Sequence, residues 1–301
     1  MRFAIAFPSL TYTCALCYVL IIISIATFVN CQINVPPLKG YPSAYNKDTG
    51  TATVFDGYSY LYNSALFQGQ PPFLYKGISG NLTINQPTLA NEDFHTLAEI
   101  TAELDGNIVE VGWTVSHSSE GQGPIPSLFV FHWVNGQGTC YNECGFIPLP
   151  GAKYYPGMAL SNFVSTSVEF RLQFMIIDND KEGWWVWFDD EWIGYFPSSL
   201  WTEAGFNFSS ANVLQWFGEV CASSVETTTQ MGNGMFGLSN QSAKVWNPVM
   251  IDTNYKETCL DMKYVYFVIS NSSLYDMGAI ANVECNSVGS LSSFGYGGPG
   301  T

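Results

Sequence analysis

The stretch GWWVWFDDEWIGYF, residues 183–196, is dense in Trp, Tyr, Phe and Val and is interrupted by an Asp-Asp-Glu run. Aromatic and β-branched residues in short runs, broken by turn-forming residues, favour β-strands. The same pattern recurs in these segments: VEVGWTVS (109–116), SLFVFHWV (127–134), VEFRLQFMII (168–177), NVLQWFGEVCA (212–222) and KYVYFVIS (263–270). Closely spaced strands of this kind are typical of an all-β sandwich or barrel.

Helical patterns are nearly absent from the sequence. Only PSSLW (197–201) is expected to form a helical turn, because no longer stretch has apolar residues at helical spacing. No internal repeat or long linker divides the chain. All-β domains reach this size as single units, so the sequence predicts one domain.

The first 31 residues have the features of a secretory signal peptide. Met1 and Arg2 precede an apolar run (14–29), and the polar sequence NCQ follows, which predicts cleavage after Cys31. The alternative is an uncleaved anchor, since the run is nearly long enough to span a bilayer. Secretion also fits four N-glycosylation sequons, which begin at Asn81, Asn207, Asn240 and Asn271.

The charge of the chain limits its partners. The formal net charge is −15, and charged residues are 12% of the sequence, about half the usual share of roughly 25%. Lys and Arg form no cluster, which argues against binding to nucleic acid or to a membrane once the leader is removed. A surface with few ionised groups suits an acidic environment. We therefore expect a secreted protein, either extracellular or in an acidic vacuolar compartment.

Two glutamates interrupt segments that otherwise look like buried strands. Glu110 lies in NIVEVGW (107–113) and Glu219 lies in QWFGEV (215–220). Side chains alternate along a strand, so Glu110 is expected to face away from Trp113, and Glu219 to share a face with Phe217. Either both acids are ordinary surface charges, or they line a cleft that neighbouring glycines leave open.

The cysteines and histidines give no metal signature. Cys140 and Cys144 bound a short loop that an oxidising compartment would close as a disulfide, and no second pair has the spacing of a zinc site. The three histidines lack metal-ligand spacing and are expected at the surface or as hydrogen-bonded core residues: His95, His117 and His132. We expect neither a metal nor another cofactor.

At the two glutamates the chain resembles the neprosin family of secreted glutamic peptidases, typified by a plant prolyl endopeptidase. Order and spacing of the family's motifs are kept from about residue 76 to residue 300. The motifs are VEVGW (109–113), TCYNEC (139–144), KEGWWVWF (181–188), IGYFPSSL (193–200), WFGEV (216–220), TTQMGNG (228–234) and FGYGGPG (294–300).

The resemblance implies a single catalytic domain, residues 76–301, folded as an antiparallel β-sandwich. Residues 32–75 would be an N-terminal lead-in or a short activation segment. Glu110 and Glu219 would be the catalytic pair of an endopeptidase that cleaves proline-containing peptides or proteins after proline. Two carboxyls that share a site resist double ionisation, so one would take a proton from water while the other stays protonated.

The resemblance also suggests residues that line the cleft, namely Glu99, Trp113, Tyr195, Phe217 and Gln230. Glu99 occupies a position where the family usually has Gln, and a third carboxyl there would lower the optimum pH or disturb the pair. Phe217 replaces a glycine on the face of Glu219 and would narrow the groove.

The family's second disulfide begins at the position of Cys259, but its usual partner lies beyond the position where this chain ends. Cys285 is the partner expected here, and Cys221 is the alternative.

Two functions from other classes also fit the sequence. A glycosidase likewise uses two carboxylates among aromatic residues. A catalytically inactive sandwich that binds glycans or wall polymers would need no acid pair at all.

Overall fold

A computed structural model describes residues 53–55, 58–68, 73–117, 125–177, 181–261, 264–282 and 290–301. The predicted signal peptide (1–31) and Cys285 lie outside the described residues. Within the described ranges, no helix has the length and apolar character needed to span a membrane.

The described residues form two antiparallel β-sheets, which confirms the predicted all-β sandwich. Sheet A has the path β1-β2-β12-β4-β5-β6-β7, and β15 also pairs with β2. Its strands are β1 (Thr53–Phe55), β2 (Tyr58–Gln68), β4 (His95–Leu104), β5 (Asn107–Ser116), β6 (Ser127–Val134), β7 (Gln137–Gly138), β12 (Val213–Ala222) and β15 (Val265–Ile269).

Sheet B has the path β16-β17-β13-β3-β9-β10-β11-β8, with β14 paired to β13. Its strands are β3 (Tyr75–Thr83), β8 (Ile147–Pro148), β9 (Ser167–Ile177), β10 (Lys181–Phe188), β11 (Glu191–Pro197), β13 (Ala243–Asp252), β14 (Glu257–Cys259), β16 (Asp276–Asn282) and β17 (Ser290–Gly297). A 3-10 helix (Ser161–Phe163) and helix α1 (Ser199–Thr202) complete the described elements, and α1 falls where the sequence predicts a helical turn.

A two-residue turn fixes the register of the hairpin β4–β5. Asp105 and Gly106 both have positive φ, 48° and 84°, as a type I′ turn requires. Asp and Gly tolerate this left-handed backbone better than most residues, and the turn leaves Leu104 opposite Asn107. The alternation along both strands is thereby set, and Glu110 lies opposite Thr101.

Strand β12 is inserted between β2 and β4, although it comes more than a hundred residues later in the chain. Glu219 thus lies in the same sheet as Glu110, one strand removed from it. Strand β2 belongs to the predicted lead-in (32–75), yet its residues 59–68 all pair with β12. The boundary of the catalytic domain at residue 76 stays a prediction.

The core lies between the sheets and is rich in fully buried tryptophans. Their indole N–H groups donate to backbone carbonyls: Trp113 to Thr83 at 3.0 Å, Trp184 to Phe208 at 2.8 Å, and Trp216 to Ser79 at 2.9 Å. A buried indole whose N–H is hydrogen-bonded contributes its large apolar area without an unsatisfied donor. Because these tryptophans lie between the sheets, the opposite face of sheet A is available for polar residues.

Candidate active site

One face of sheet A points away from the core and carries a group of carboxyls. We call it the acidic face and define it by Glu99, Glu110, Phe131, Phe217 and Glu219. Residues that flank them along the strands point the other way and belong to the core cluster, namely Ala98, Ile100, Val109, Val111, Val130, Trp216 and Val220. The sequence alternation assigned Glu110 and Trp113 to opposite faces, and the structure places them so.

The strand register gives the relative positions of Glu110 and Glu219. Glu110 is level with Thr101 on β4 and with Gln215 on β12, whereas Glu219 lies four residues further along β12. The two backbones are thus two strand spacings apart, about 10 Å, and offset by about 13 Å along the strands. They share one face but are not direct neighbours.

Glu99 lies midway between these two glutamates. It is opposite Gly112 on β5 and opposite Phe217 on β12. Glu110 and Glu219 are each two residues away from those partners, so Glu99 is a diagonal cross-strand neighbour of both, at about 7–8 Å between backbones. Glu99, the third carboxyl that the sequence suggests, therefore lies on the same sheet face as Glu110 and Glu219.

All three carboxyls are recessed, with exposed fractions of 3% for Glu99, 5% for Glu110 and 7% for Glu219. Burial of an ionisable group is costly unless polar partners compensate, so such a cluster is more often functional than incidental.

Specific groups orient the two outer carboxyls. The indole Nε1–H of Trp133 donates to Oε1 of Glu110 at 2.9 Å, and Nε2 of His95 lies 2.9 Å from Oε1 of Glu219. An indole can only donate, so Glu110 accepts this bond, whereas the imidazole can donate or accept. Each carboxyl is thus held by one defined partner.

The phenol of Tyr141 interacts electrostatically with all three carboxyls. Burial raises the pKa of its phenol well above the ordinary value, and the charges of Glu110, Glu99, Glu219 and Tyr60 raise it further, in that order. All three glutamates therefore act on one hydroxyl group, which stays protonated.

A fourth carboxyl lies at one end of the acidic face. Glu103 is opposite Ile108 on β5 and Val213 on β12. Burial raises the pKa of Glu103 to about 7, and the nearby Asp105 adds to the rise.

Phe217 lies on the acidic face, as its position in the sequence suggested. It is fully buried between Ser64 of β2 and Glu99 of β4. Its ring is thus packed inside the protein on the face of Glu219, and narrowing of a groove by Phe217 stays a prediction.

Three other residues are predicted to line the cleft. Trp113 is in the core between the sheets. Tyr195 stacks on Trp185 at 4.6 Å on the outer face of sheet B. The side chain of Gln230 accepts a hydrogen bond from the backbone N–H of Thr88 at 3.0 Å, and the backbone carbonyl of Gln230 accepts one from the hydroxyl of Thr96, a residue on the core side of β4. The prediction is wrong for Trp113 and Tyr195, because aromatic character does not reveal which sheet face a residue occupies, whereas for Gln230 it stays a prediction.

The space next to the glycines that neighbour the glutamates is already occupied by other atoms of the protein. A Cβ added at Gly112 would lie 2.1 Å from the carbonyl oxygen of Ala98, and one added at Gly218 would lie 2.5 Å from the ring of Tyr296. These glycines permit close internal packing and do not open gaps for a substrate.

The cysteines divide into bonded and free. Cys140 and Cys144 form a disulfide, with 5.4 Å between their Cα atoms. Cys221 is a buried free thiol, so its pairing with Cys259 is ruled out. Cys259 is disulfide-bonded, and because Cys285 lies outside the described residues, that pairing stays a prediction. Burial raises the pKa of the Cys221 thiol, and Glu219 raises it further, which makes it a poor nucleophile.

The predicted glycosylation sites differ in accessibility. Asn207 and Asn240 are exposed, whereas Asn81, in β3, and Asn271 are half-buried. Among the residues that the structure describes, no group of three or more His, Cys, Asp or Glu side chains is placed to hold a metal ion.

Sequence reasoning missed three groups of the site: His95, Trp133 and Tyr141. The sequence predicts His95 at the surface or as a hydrogen-bonded core residue, and it identifies Trp133 and Tyr141 only as members of a strand segment and of the motif TCYNEC. The strand period does place His95 on the face of Glu99, four residues away, so that signal was available. Contacts of Trp133 and Tyr141 depend on register and on the path of a loop.

Comparison with known proteins gives a family and remote structural likenesses. The Neprosin family model matches residues 93–299. No curated protein matches the chain.

Structures of scytalido-glutamic peptidase with a peptide-based transition-state analog and with a transition-state analog inhibitor are similar at 10% and 9% identity, each with a TM-score of 0.37. SCP-B, a member of the Eqolisin family of peptidases in complex with the tripeptide Ala-Ile-His, is similar at 9% identity and a TM-score of 0.34. Each alignment covers 78% of this chain and 98% of the other.

Proposed function

The chain belongs to the neprosin family of glutamic peptidases, and from this premise we propose that it is a secreted, acid-active endopeptidase that uses Glu110 and Glu219 to activate water. The observation that carries this proposal is the acidic face itself. Both glutamates are recessed there, each is held by one defined partner, and both act on the same phenol.

The distance between Glu110 and Glu219 determines where a peptide substrate would lie between them. A peptide that lies across β4 has Glu110 on one side of it and Glu219 on the other, with Glu99 beneath. The ionised carboxyl takes a proton from water, and the water oxygen attacks the scissile carbonyl carbon. The protonated carboxyl on the other side donates a hydrogen bond to the developing oxyanion, and then its proton to the leaving amine.

The proposed mechanism predicts activity at acidic pH. It needs one protonated carboxyl at the start of each cycle, and the population of that form falls as the pH rises. The low share of charged residues and the net charge of −15 suit the same environment. Secretion, N-glycosylation and an extracellular or vacuolar location belong to this proposal.

Preference for proline has a narrower basis. It comes only from the likeness to a family typified by a prolyl endopeptidase, and the acidic face offers no separate argument for it. Peptide or protein substrates are therefore the coarser part of the proposal, and cleavage after proline the finer part.

The test is cleavage of a proline-containing peptide near pH 4 by wild type, Glu110→Gln and Glu219→Gln. The matched control is Glu169→Gln, because Glu169 is a half-buried glutamate of sheet B that binds Arg171. We expect each site variant to lose about 1,000-fold in kcat, within the usual range for general acid–base groups, and the control to keep its activity.

Other outcomes would redirect the proposal. Full activity of both site variants would refute the glutamate pair. Release of sugar from oligosaccharides without peptide cleavage would favour a glycosidase, and binding of glycans without any hydrolysis would favour an inactive sandwich. A panel of peptides that differ only at the residue before the scissile bond tests the preference for proline.

A further inference from the structure

Tyr141 lies in a loop that is fixed at both ends. The disulfide between Cys140 and Cys144 closes the loop, and Asn142 joins it to β6 by two hydrogen bonds. The N–H of Asn142 donates to the carbonyl of Val130 at 2.9 Å, and the N–H of Val130 donates to Oδ1 of Asn142 at 3.2 Å. The loop therefore continues the hydrogen bonding of β6 along an edge where β7 pairs only with Trp133 and Val134.

Two phenylalanines of β6 hold the ring of Tyr141. Its centroid lies 4.8 Å from that of Phe131 and 5.3 Å from that of Phe129. Phe131 is opposite Glu110, and Phe129 is opposite Gly112, so both rings belong to the acidic face. The disulfide loop thus places a tyrosine against the strand that borders Glu110.

The phenol of Tyr141 is a neutral donor in a negatively charged setting. Its pKa is raised first by burial and then by Glu110, Glu99, Glu219 and Tyr60. It therefore keeps its proton over the whole pH range in which a glutamate pair can work. A carboxyl can donate a hydrogen bond only while it is protonated, whereas this hydroxyl can do so in every state of the site.

We propose that Tyr141 is a catalytic residue whose O–H donates a hydrogen bond to the carbonyl oxygen of the scissile peptide as that oxygen becomes negative. The inference rests on the proposed peptidase function and assigns one further group to the same site. The phenol transfers no proton in this step, so the glutamates still supply the base and the acid. Fixed donors aimed at a developing oxyanion are among the largest contributions to acyl-transfer catalysis.

The test is Tyr141→Phe, which removes the hydroxyl and keeps the ring that packs on Phe129 and Phe131. The matched control is Tyr154→Phe. The ring of Tyr154 also packs between two phenylalanines, Phe163 at 5.8 Å and Phe188 at 5.0 Å, and its hydroxyl donates to Asp189 at 2.8 Å. Both variants should be assayed for kcat and KM on the same peptide, and for thermal unfolding.

The expected result for Tyr141→Phe is a fall of about 100-fold in kcat with little change in KM, as for loss of one oxyanion donor. The control should keep both constants. A Tyr141→Phe variant that unfolds like wild type and keeps kcat within about threefold would overturn the inference. So would a rise in KM at constant kcat, because it would indicate a role in ground-state binding only.

Two failures are distinguishable. If the two glutamate variants lose activity while Tyr141→Phe keeps it, the peptidase proposal stands and only the role of Tyr141 falls. If wild type cleaves no peptide, or the glutamate variants keep full activity, both are overturned.

Discussion

The two outer faces of the sandwich hold carboxylates in opposite settings. On sheet B, Glu169 is half-buried, pairs with the guanidinium of Arg171 at 3.1 Å and accepts a hydrogen bond from Ser79 at 2.9 Å. On sheet A, Glu110 and Glu219 are nearly inaccessible, and their described partners are an indole and an imidazole. Beside a guanidinium a carboxylate is stabilised as an ion, which suits a structural role. A recessed group of carboxyls on one sheet face is suited to proton transfer.

The largest effect that we expect from this comparison follows from the loss of the hydrogen bond that the indole of Trp133 donates to Glu110. Trp133→Phe keeps an aromatic ring but removes the N–H that donates to Glu110. We expect kcat to fall about 10- to 100-fold, the range for a hydrogen bond to a charged group. On sheet B, Trp187→Phe removes an N–H that donates to the carbonyl of Asp189 at 2.9 Å, and should leave kcat unchanged. Equal losses in the two variants would mean that the effect is structural.

A second, smaller effect concerns stability and pH on the acidic face. The pKa of Glu103 is raised to about 7 in the folded protein, from 4.5. The folded state therefore favours the protonated form, so this stabilisation is fully present below pH 4.5 and is lost as the pH rises through about 7. Glu103→Gln should accordingly stabilise the protein at pH 7 by about 3 kcal/mol and change little at pH 4.

A Glu-to-Gln change on sheet B provides the comparison for Glu103→Gln on sheet A. Glu169→Gln removes a half-buried ion pair at the outer surface of sheet B and should destabilise the protein by about 1 kcal/mol or less at pH 7. Urea unfolding of both variants at pH 4 and pH 7 gives the comparison. A loss of stability at pH 7 in Glu103→Gln would contradict the position assigned to its side chain.

Sequence alone could predict what depends on the period of a strand. Alternation separates Glu110 from Trp113 and puts Phe217 on the face of Glu219, and the structure agrees. The same rule places Trp113 in the core, opposite to Glu110, so its aromatic character is no indication of a cleft residue. The all-β class followed from the strand-forming runs alone.

What sequence could not give is the order of the strands. The position of Glu99 between the two glutamates exists because β12, distant in the chain, pairs with β4. The role of Tyr141 depends on the path of a disulfide loop over β6, and nothing in the motif TCYNEC specifies the rings on which it lands. Register and loop path are tertiary properties, set by packing between distant segments.

The most direct test of the central claim is a double-mutant cycle on kcat with wild type, Glu110→Gln, Glu219→Gln and the double variant. If the two carboxyls act on one peptide bond from either side of β4, each single change should cost about 1,000-fold, and the double change should cost little more than one alone. Full activity in either single variant, or losses that multiply in the double variant, would contradict a shared site.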